Sequence, residues 1–332
     1  MKLLHIGNAD SRFPEAGPFV DALRELGELT VLRNGEALTD EARAALIREC
    51  DVLLTLWGSS RVPEQIAKAP GRLSYICNIS GGISHWIPLS IVEAGIPVTN
   101  WGDAVAPEMA EAAVTLLLAV LKELLPQQLY VREGGWHRPD RRIGSMYGLR
   151  IGIFGMGAIG RKFVDYVRPY ECRIRYYDPY LPPASAPAGC EAAESLERLA
   201  AESDALVIHA GLTEETRGAV NAAVLAKLPD YGIVINTARG DIVEQDALFA
   251  ELKTGRLRAG LDVLAGSDAL EPDHPARGWP NVLFTAHDLY SANWQKPPLE
   301  RYEAVCLENL IRHSQGKPLM HRFDRDRYLR ST

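Results

Sequence analysis

The chain has 332 residues, of which 47% are hydrophobic and 24% are charged, and its formal net charge is −7. This length predicts two domains, and this composition is typical of folded proteins rather than of disordered chains. An acidic chain without a dense basic cluster argues against nucleic-acid binding. Two aspartates interrupt the densest basic stretch, residues 321–330, where we expect a solvated tail.

The cysteines and the apolar runs predict a cytoplasmic protein. Five cysteines lie at irregular spacing without a Cys-x-x-Cys pair, which argues against zinc-ribbon and thioredoxin sites and favours reduced thiols. The first apolar run, Leu3–Ile6, is too short for a signal peptide. The longest nearly apolar stretch, Ala112–Leu121, has about half the length that spans a bilayer. We therefore expect no membrane association and predict no metal site.

Short apolar runs alternate with helix-like segments along the chain. The predicted strands of the first half are Leu3–Ile6, Thr30–Leu32, Asp51–Leu56 and Tyr75–Ile79, with helices near 16–26, 40–49 and 62–69. Those of the second half are Arg150–Phe154, Arg173–Tyr177, Ala205–Ile208, Ile233–Asn236, Ala259–Asp262 and Val282–Thr285, with helices near 158–168, 195–202, 221–227 and 244–253. This alternation predicts parallel sheets that helices cover on both faces.

A long helical segment, about Glu108–Arg132, connects the two halves. Its first part is apolar almost all round, which indicates deep burial or a subunit interface. Residues Gly134–Tyr147 predict an irregular connection. The last predicted helix, about Pro298–Ser314, follows the second set of strands and could return to the first domain.

A glycine-rich turn follows the strand Arg150–Phe154 and opens a helix. It reads Gly155-Met-Gly157-Ala158-Ile159-Gly160, a pattern in which glycines permit a tight turn and bring the backbone close to a pyrophosphate. Asp178, at the end of the next strand, is placed to accept hydrogen bonds from the adenosine ribose hydroxyls. Because its charge would repel a 2′-phosphate, the sequence favours NAD over NADP.

Polar residues close the other strands of the second half. Arg239 follows a buried strand, and its planar guanidinium suits a carboxylate ligand. Asp262, His287 and His209 also stand at strand ends. Ligands of open α/β sheets bind at the carboxyl ends of the strands, so these positions form a candidate site.

Together these stretches resemble the D-isomer-specific 2-hydroxyacid dehydrogenase family, which includes phosphoglycerate dehydrogenases and glyoxylate/hydroxypyruvate reductases. The similarity covers about residues 75–315. The matching stretches are Gly155–Gly160 with Asp178, Ser203–His209, Asn236–Gly240, Gly260–Val263 and Pro280–His287.

The resemblance implies a fold with two doubly wound parallel sheets. A Rossmann NAD-binding domain, residues 101–290, is expected to be inserted into a flavodoxin-like substrate domain, residues 1–100 with 291–332. Similarity of the helix near 108–132 to the family's dimer arm implies a homodimer.

The resemblance also implies roles for individual residues. NADH would give hydride to a small 2-oxo acid, whose carboxylate Arg239 would hold while His287 exchanges a proton with the keto oxygen. The backbone N–H groups of Ser80, Gly81 and Gly82 would also bind the substrate carboxylate. The expected cofactor contacts include His209, Thr237, Ala238 and Asp262.

The carboxylate partner of His287 is open between two residues. Counting back from Asp273-His-Pro275 selects Asp268, with one residue inserted, whereas matching a Glu-Pro pair selects Glu271. We prefer Asp268 because Glu271 requires more inserted residues after Arg239. This chain also has Ala286 where the family usually has proline before the histidine.

Two other functions compete with this hypothesis. The first is a formate- or phosphite-type dehydrogenase on the same scaffold, although formate-oxidising members tend to pair glutamine with the histidine. The second is a non-enzymatic, NAD-sensing corepressor, which can retain the same arginine, acid and histidine.

Overall fold

In this computed structural model the chain divides into two units. The first unit comprises Met1–Val105 with Ala292–Thr332, and the second comprises Ala106–Ser291. The structure describes residues 1–289 and 298–330, except the side chain of Pro183. The predicted domain boundary at residue 291 lies outside the described residues. That the first unit binds the substrate stays a prediction.

Each unit contains a parallel β-sheet. The strands of the first unit are β1 (Lys2–Ile6), β2 (Glu28–Leu32), β3 (Val52–Thr55), β4 (Tyr75–Asn78) and β5 (Val98–Thr99). Those of the second are β6 (Arg150–Phe154), β7 (Arg173–Tyr177), β8 (Cys190–Ala192), β9 (Ala205–Ile208), β10 (Ile233–Asn236), β11 (Arg258–Leu261) and β12 (Val282–Phe284).

Helices connect most of these strands. In chain order they are α1 (Pro18–Leu26), α2 (Asp40–Arg48), α3 (Leu89–Glu93), α4 (Ala106–Leu121), α5 (Leu124–Arg132), α6 (Ala158–Val167), α7 (Leu196–Ala201), α8 (Ala222–Leu225), α9 (Gln245–Lys253), α10 (Arg301–Ser314) and α11 (Arg325–Arg330).

The two strand orders confirm the predicted fold class. The first sheet has the order β2-β1-β3-β4-β5, which is the flavodoxin-like order. The second has the order β12-β11-β10-β9-β6-β7-β8, which contains the dinucleotide-binding order on both sides of β6. In each sheet the strand order reverses beside its first strand, β1 or β6, and this reversal is where such sheets bind ligands.

The side-chain alternation of the strands builds a core on each face of a sheet. In the first unit Leu3 and Leu54 pack towards α1 and α10, whereas Leu4 and Leu53 pack towards α2 and α3. These four leucines are nearly fully buried. Successive side chains of a strand point to opposite faces of the sheet. Two adjacent leucines therefore expose apolar surface on both faces, and helices must cover each face.

The second unit has the same layered construction. On one face, α4 and α6 pack through residues such as Leu117 and Phe163. On the other face, α7, α8 and α9 pack through residues such as Leu199, Leu225 and Leu252. All five of these side chains are buried, so both faces of the sheet that carries the glycine turn are covered.

The predicted single helix near 108–132 is wrong in one respect, because it divides into α4 and α5. Glu123 separates the two helices with a left-handed φ of 52°. Its carboxylate accepts hydrogen bonds from the side chain of Arg138 and from the backbone N–H of Arg142. These hydrogen bonds to the connection after α5 stabilise the break between the two helices. Local helix propensity does not predict such a break, because the partners of Glu123 lie outside the helix.

The prediction of a solvated tail at residues 321–330 is also wrong. Phe323 is buried in the core of the first unit, and its backbone N–H donates to Val98 O at 2.8 Å. The hydroxyl of Tyr328 donates to Ile87 O, also at 2.8 Å. Because arginines surround these two aromatic residues in the sequence, the charge pattern alone does not predict their apolar contacts.

Short edge strands were not predicted either. Strands β5 and β8 have two and three residues, and each pairs with one neighbour at the edge of its sheet. In the part of the chain that the structure describes, no helix has both the length and the apolarity needed to cross a membrane.

Candidate active site

The glycine turn has the geometry that close backbone packing requires. Gly155 has a φ of 92°, and a Cβ at this position would lie 2.5 Å from Ala210 N. A Cβ on Gly160 would lie 2.5 Å from Gly155 O. Only glycine fits these two positions without a backbone shift, so the turn between β6 and α6 stays tight.

The start of α6 is open beside this turn. Gly157 is the N-cap of α6 and provides no side-chain acceptor, and a Cβ there would meet no atom of the described residues within 4 Å. The first N–H groups of a helix lack partners within that helix and attract anions. The open N-terminus of α6 therefore fits a phosphate group.

Asp178 is hydrogen-bonded to the glycine turn. One of its carboxylate oxygens accepts a hydrogen bond from Met156 N at 2.9 Å, and the other accepts one from Tyr180 N at 3.0 Å. The side chain is half-buried at the end of β7. Its negative charge consequently stands at the edge of the turn, where the sequence predicted it.

Two buried polar atoms near the same sheet edge have no hydrogen-bond partner among the described residues. They are His209 Nε2 and Thr237 Oγ1. Burial lowers the pKa of His209 to about 3, so this imidazole is neutral. Because buried polar atoms are nearly always paired, these two atoms fit a bound molecule that supplies the missing partners.

The register of the sheet places these residues beside the glycine turn. Phe154, Ile208 and Asn236 are aligned across β6, β9 and β10. Gly155, His209 and Thr237 are the residues that directly follow them. A glycine turn therefore stands beside buried polar atoms that have no partner within the described part of the chain. This combination fits a bound dinucleotide.

Asn236 holds the turn that carries Arg239. Its Nδ2 donates to Arg239 O at 2.9 Å, and its Oδ1 accepts from Ala238 N at 3.0 Å. Arg239 itself donates to Ala238 O at 2.7 Å. Burial lowers the pKa of Arg239, and the nearby charge of Asp268 opposes this effect. A guanidinium in such surroundings remains charged and gains from a further anion.

His287 is paired with Asp268. Its Nδ1–H donates to Asp268 Oδ2 at 2.5 Å, while Asp268 Oδ1 accepts from Leu264 N, also at 2.5 Å. Glu271 has no hydrogen bond to His287 among the described contacts, and its side chain is exposed. Of the two candidates that the sequence left open, the structure brings Asp268 to the histidine.

The backbone around this pair is unusual. Asp268, Ala286 and His287 have left-handed φ angles of 54°, 53° and 55°. Such conformations are costly for residues other than glycine and occur at functional sites. A proline at position 286 could not adopt this φ, since its ring fixes φ near about −65°. Alanine in place of the usual proline is therefore consistent with the local backbone.

Asp262 supports the histidine turn. Its backbone oxygen accepts from His287 N at 2.7 Å, and its Oδ1 accepts from Thr285 Oγ1 at 2.6 Å. The side chain is almost fully buried. These contacts give Asp262 a structural task in addition to the cofactor contact that the resemblance implies, which stays a prediction.

The predicted site residues fall into two groups. Arg239, Asp268 and His287 lie in the second unit, together with the cofactor-binding candidates Gly155, Gly157, Ala158, Ile159, Gly160, Asp178, His209, Thr237, Ala238 and Asp262. Ser80, Gly81 and Gly82 lie in the first unit, beginning two residues after the end of β4. Their loop is held by Asn78, whose Nδ2 donates to Ser80 O at 2.8 Å and to Gly82 O at 3.2 Å.

Sequence reasoning missed the asparagines that hold both loops. Asn78 and Asn236 each end a strand that is otherwise apolar, and both are buried. A polar residue at the last position of a buried strand was the available signal, because a buried amide needs hydrogen-bond partners.

Comparisons with known proteins agree with this geometry. A profile described as "D-isomer specific 2-hydroxyacid dehydrogenase, NAD binding domain" matches residues 114–288. The chain is 34% identical over 259 residues to a glyoxylate reductase of Thermococcus kodakarensis, and the match covers 75% of this chain and 77% of that protein.

Two further comparisons extend the likeness. The chain is 29% identical over 269 residues to a D-3-phosphoglycerate dehydrogenase of Methanocaldococcus jannaschii, and the match covers 80% of this chain but spans only 51% of that protein's length. The structure of a glyoxylate reductase from Paecilomyes thermophila superposes with a TM-score of 0.80 at 24% identity, covering 97% of each chain, which shows the same fold. The chain therefore belongs to the D-isomer-specific 2-hydroxyacid dehydrogenase family, NAD-dependent oxidoreductases of 2-hydroxy acids.

Proposed function

We propose that this protein interconverts a small 2-oxo acid and the corresponding D-2-hydroxy acid with NAD(H). The pairing of His287 with Asp268, within electrostatic range of the half-buried Arg239, carries the proposal. A guanidinium suits the substrate carboxylate, and an imidazole held by a carboxylate suits proton transfer. Glyoxylate and hydroxypyruvate, on which named relatives act, are the first substrates to examine.

Arg239, His287 and Asp268 each have a defined role in the proposed reaction. When bound, the reduced nicotinamide supplies the hydride. Arg239 binds the carboxylate and stabilises the negative charge that develops on the keto oxygen. His287 donates its Nε2 proton to that oxygen, because Nδ1 is engaged by Asp268. The Asp268 carboxylate accepts the Nδ1–H and thereby fixes the orientation of the imidazole ring.

Loop 80–82 is proposed to bind the same carboxylate. Among the described residues, no acceptor takes a hydrogen bond from Gly81 N or Gly82 N. Successive free N–H groups form a concave site that favours anions. Asn78 holds the carbonyl oxygens of this loop, which leaves its N–H groups for a ligand.

The competing functions have less support. An acid rather than glutamine contacts His287, which argues against formate oxidation. The arginine, acid and histidine do not discriminate against a corepressor, but the named relatives are reductases, which favours an enzyme. We also propose a cytoplasmic location and no nucleic-acid partner, on the composition and cysteine pattern described above.

The function can be tested by following NADH oxidation with a panel of 2-oxo acids. We expect turnover of at least one small 2-oxo acid, and we expect Arg239→Gln to lower kcat/KM by about 100-fold or more, as for loss of a group that stabilises an oxyanion. Arg217→Gln is the matched control, since this exposed arginine pairs only at the surface with Asp241. Absence of NADH oxidation with every acid of the panel would contradict the proposal.

The role of Asp268 predicts a difference between two neutralising variants. Asp268→Asn should lower kcat/KM for reduction by roughly tenfold or more, because the imidazole loses the carboxylate that accepts its Nδ1–H and leaves Nε2 as the proton donor. Glu271→Gln should leave kcat/KM unchanged. Steady-state kinetics with NADH and glyoxylate provide the measurement, and a larger effect of Glu271→Gln would move the role to that residue.

Asp178 supports a preference for NADH over NADPH. Its carboxylate stands at the glycine turn, where a 2′-phosphate would meet like charge. Asp178→Asn keeps an acceptor for Met156 N but removes the charge. We expect the NADH-to-NADPH ratio of kcat/KM to fall by about tenfold, whereas Asp165→Asn on the exposed side of α6 should leave it unchanged. A natural preference for NADPH would refute this assignment.

A homodimer is proposed from the surface of α4 and α5. Ala119, Leu125 and Leu283 line an apolar depression with a volume of about 530 Å³, and Leu124 and Val131 at its border are 55% and 43% exposed. An exposed apolar patch of this kind marks an interaction surface.

Sedimentation velocity at micromolar concentration should therefore show a dimer. Leu124→Glu should convert it to a monomer, because a charge would be buried in the interface. Leu46→Glu, on the exposed side of α2, serves as the control and should leave the dimer intact. A monomeric natural protein is the result that would exclude the proposal.

A further inference from the structure

The loop of Ser80–Gly82 is held by a second amide besides that of Asn78. Asn100 follows β5, and its Nδ2 donates to Gly81 O at 2.6 Å. Trp101 lies directly against the same loop, since a Cβ on Gly81 would be 2.6 Å from its ring. The position of Gly81 therefore depends on how the Asn100 side chain is oriented.

Arg327 contacts the other end of this amide. Its guanidinium donates to Asn100 Oδ1 at 3.0 Å, and Gly102 N donates to the same oxygen at 3.0 Å. An asparagine amide has a donor end and an acceptor end, and rotation by 180° exchanges them. If the Asn100 amide were reversed, its Nδ2 donor would face the Arg327 guanidinium, which is also a donor. Its Oδ1 would face Gly81 O, and the hydrogen bond to that oxygen would be lost.

The C-terminal segment, residues 321–330, holds Arg327 in position through several contacts. His321–Phe323 continues beside β5, with Phe323 N bonded to Val98 O. The guanidinium of Arg327 stacks over the buried Phe323 ring at 4.5 Å and donates to Arg322 O at 3.2 Å. Burial lowers the pKa of Arg327, while Asp324 and Asp103 oppose this shift. This arginine is thus a fixed, charged donor rather than a solvated side chain.

We infer that Arg327 is a positioning residue that fixes the Asn100 amide and, through it, the N–H groups of Gly81 and Gly82 that receive the substrate carboxylate. The inference rests on the proposed function for the last of these steps. The link from Arg327 through Asn100 to Gly81 lies within the first unit and is independent of any substrate. The C-terminal segment thereby contributes to the affinity for the 2-oxo acid.

Two substitutions at position 327 separate positioning from general stability. Arg327→Met retains an apolar chain over Phe323 but removes the donor, and Arg327→Lys restores a charge and a donor. Arg325→Met is the matched control from the same helix, because Arg325 is exposed and pairs with Glu93. Amide hydrogen exchange of residues 79–84, thermal unfolding and steady-state kinetics with NADH and glyoxylate are measured for each protein.

We expect Arg327→Met to raise exchange in residues 79–84 and to raise KM for glyoxylate by about tenfold, with kcat and KM for NADH changed less than twofold, as for a lost binding contact. Arg327→Lys should recover part of both effects, and Arg325→Met should show neither. Unchanged exchange in residues 79–84 with Arg327→Met would overturn the inference, as would an equal rise throughout the first unit.

A substitution at Asn100 distinguishes docking of the C-terminal segment from control of the loop. Asn100→Asp keeps an acceptor for Arg327 but cannot donate to Gly81 O. This variant should raise amide exchange in residues 79–84 while exchange in residues 321–330 stays unchanged. Faster exchange in both segments would contradict the proposal that Arg327 acts on the loop through Asn100. If the natural protein reduces no 2-oxo acid, the proposed function fails, and the exchange measurements still decide the link between Arg327 and the loop.

Discussion

The hydrogen bond between Asp268 and His287 is the contact on which the candidate site depends. The loop after β11, which carries Asp268, passes close to the turn after β10. Gly240 permits this approach, because a Cβ there would overlap the Leu264 backbone at 1.9 Å. The hydrogen bond requires Asp268, Ala286 and His287 to adopt left-handed conformations. Such strain persists only when surrounding contacts overdetermine it, and here Leu264 N and Asp262 O provide those contacts.

The parallel sheet brings the remaining groups together by register alone. Strands β6, β9 and β10 end at aligned positions, so the residues that follow them emerge at one edge. Gly155, His209 and Thr237 are far apart in sequence, yet each is the first residue beyond its strand. This edge combines an open helix N-terminus with buried polar atoms that no described residue contacts by a hydrogen bond, and both features favour a polar, anionic ligand.

Much of this arrangement was predictable because its determinants are local. Apolar runs located the main strands, and the spacing of Gly155, Gly157 and Gly160 located the turn. Counting back from Asp273 selected Asp268, the residue that contacts His287. Contacts between distant segments decided the rest. Neither the break at Glu123 nor the docking of Phe323 is visible locally, since each depends on residues outside its own element.

The two units hold a loop in the same way, through the amide of an asparagine. Asn78 and Asn236 each end a buried strand, and the Nδ2 of each donates to backbone oxygens two to four residues further on. These bonds turn the negative ends of the peptide dipoles towards the amide. The opposite side of each loop is then left to positive groups, N–H groups after Asn78 and the guanidinium of Arg239 after Asn236. Because a buried amide must satisfy both its donor and its acceptor, the orientation of each loop follows from one side chain, and in the first unit Asn100 adds a second.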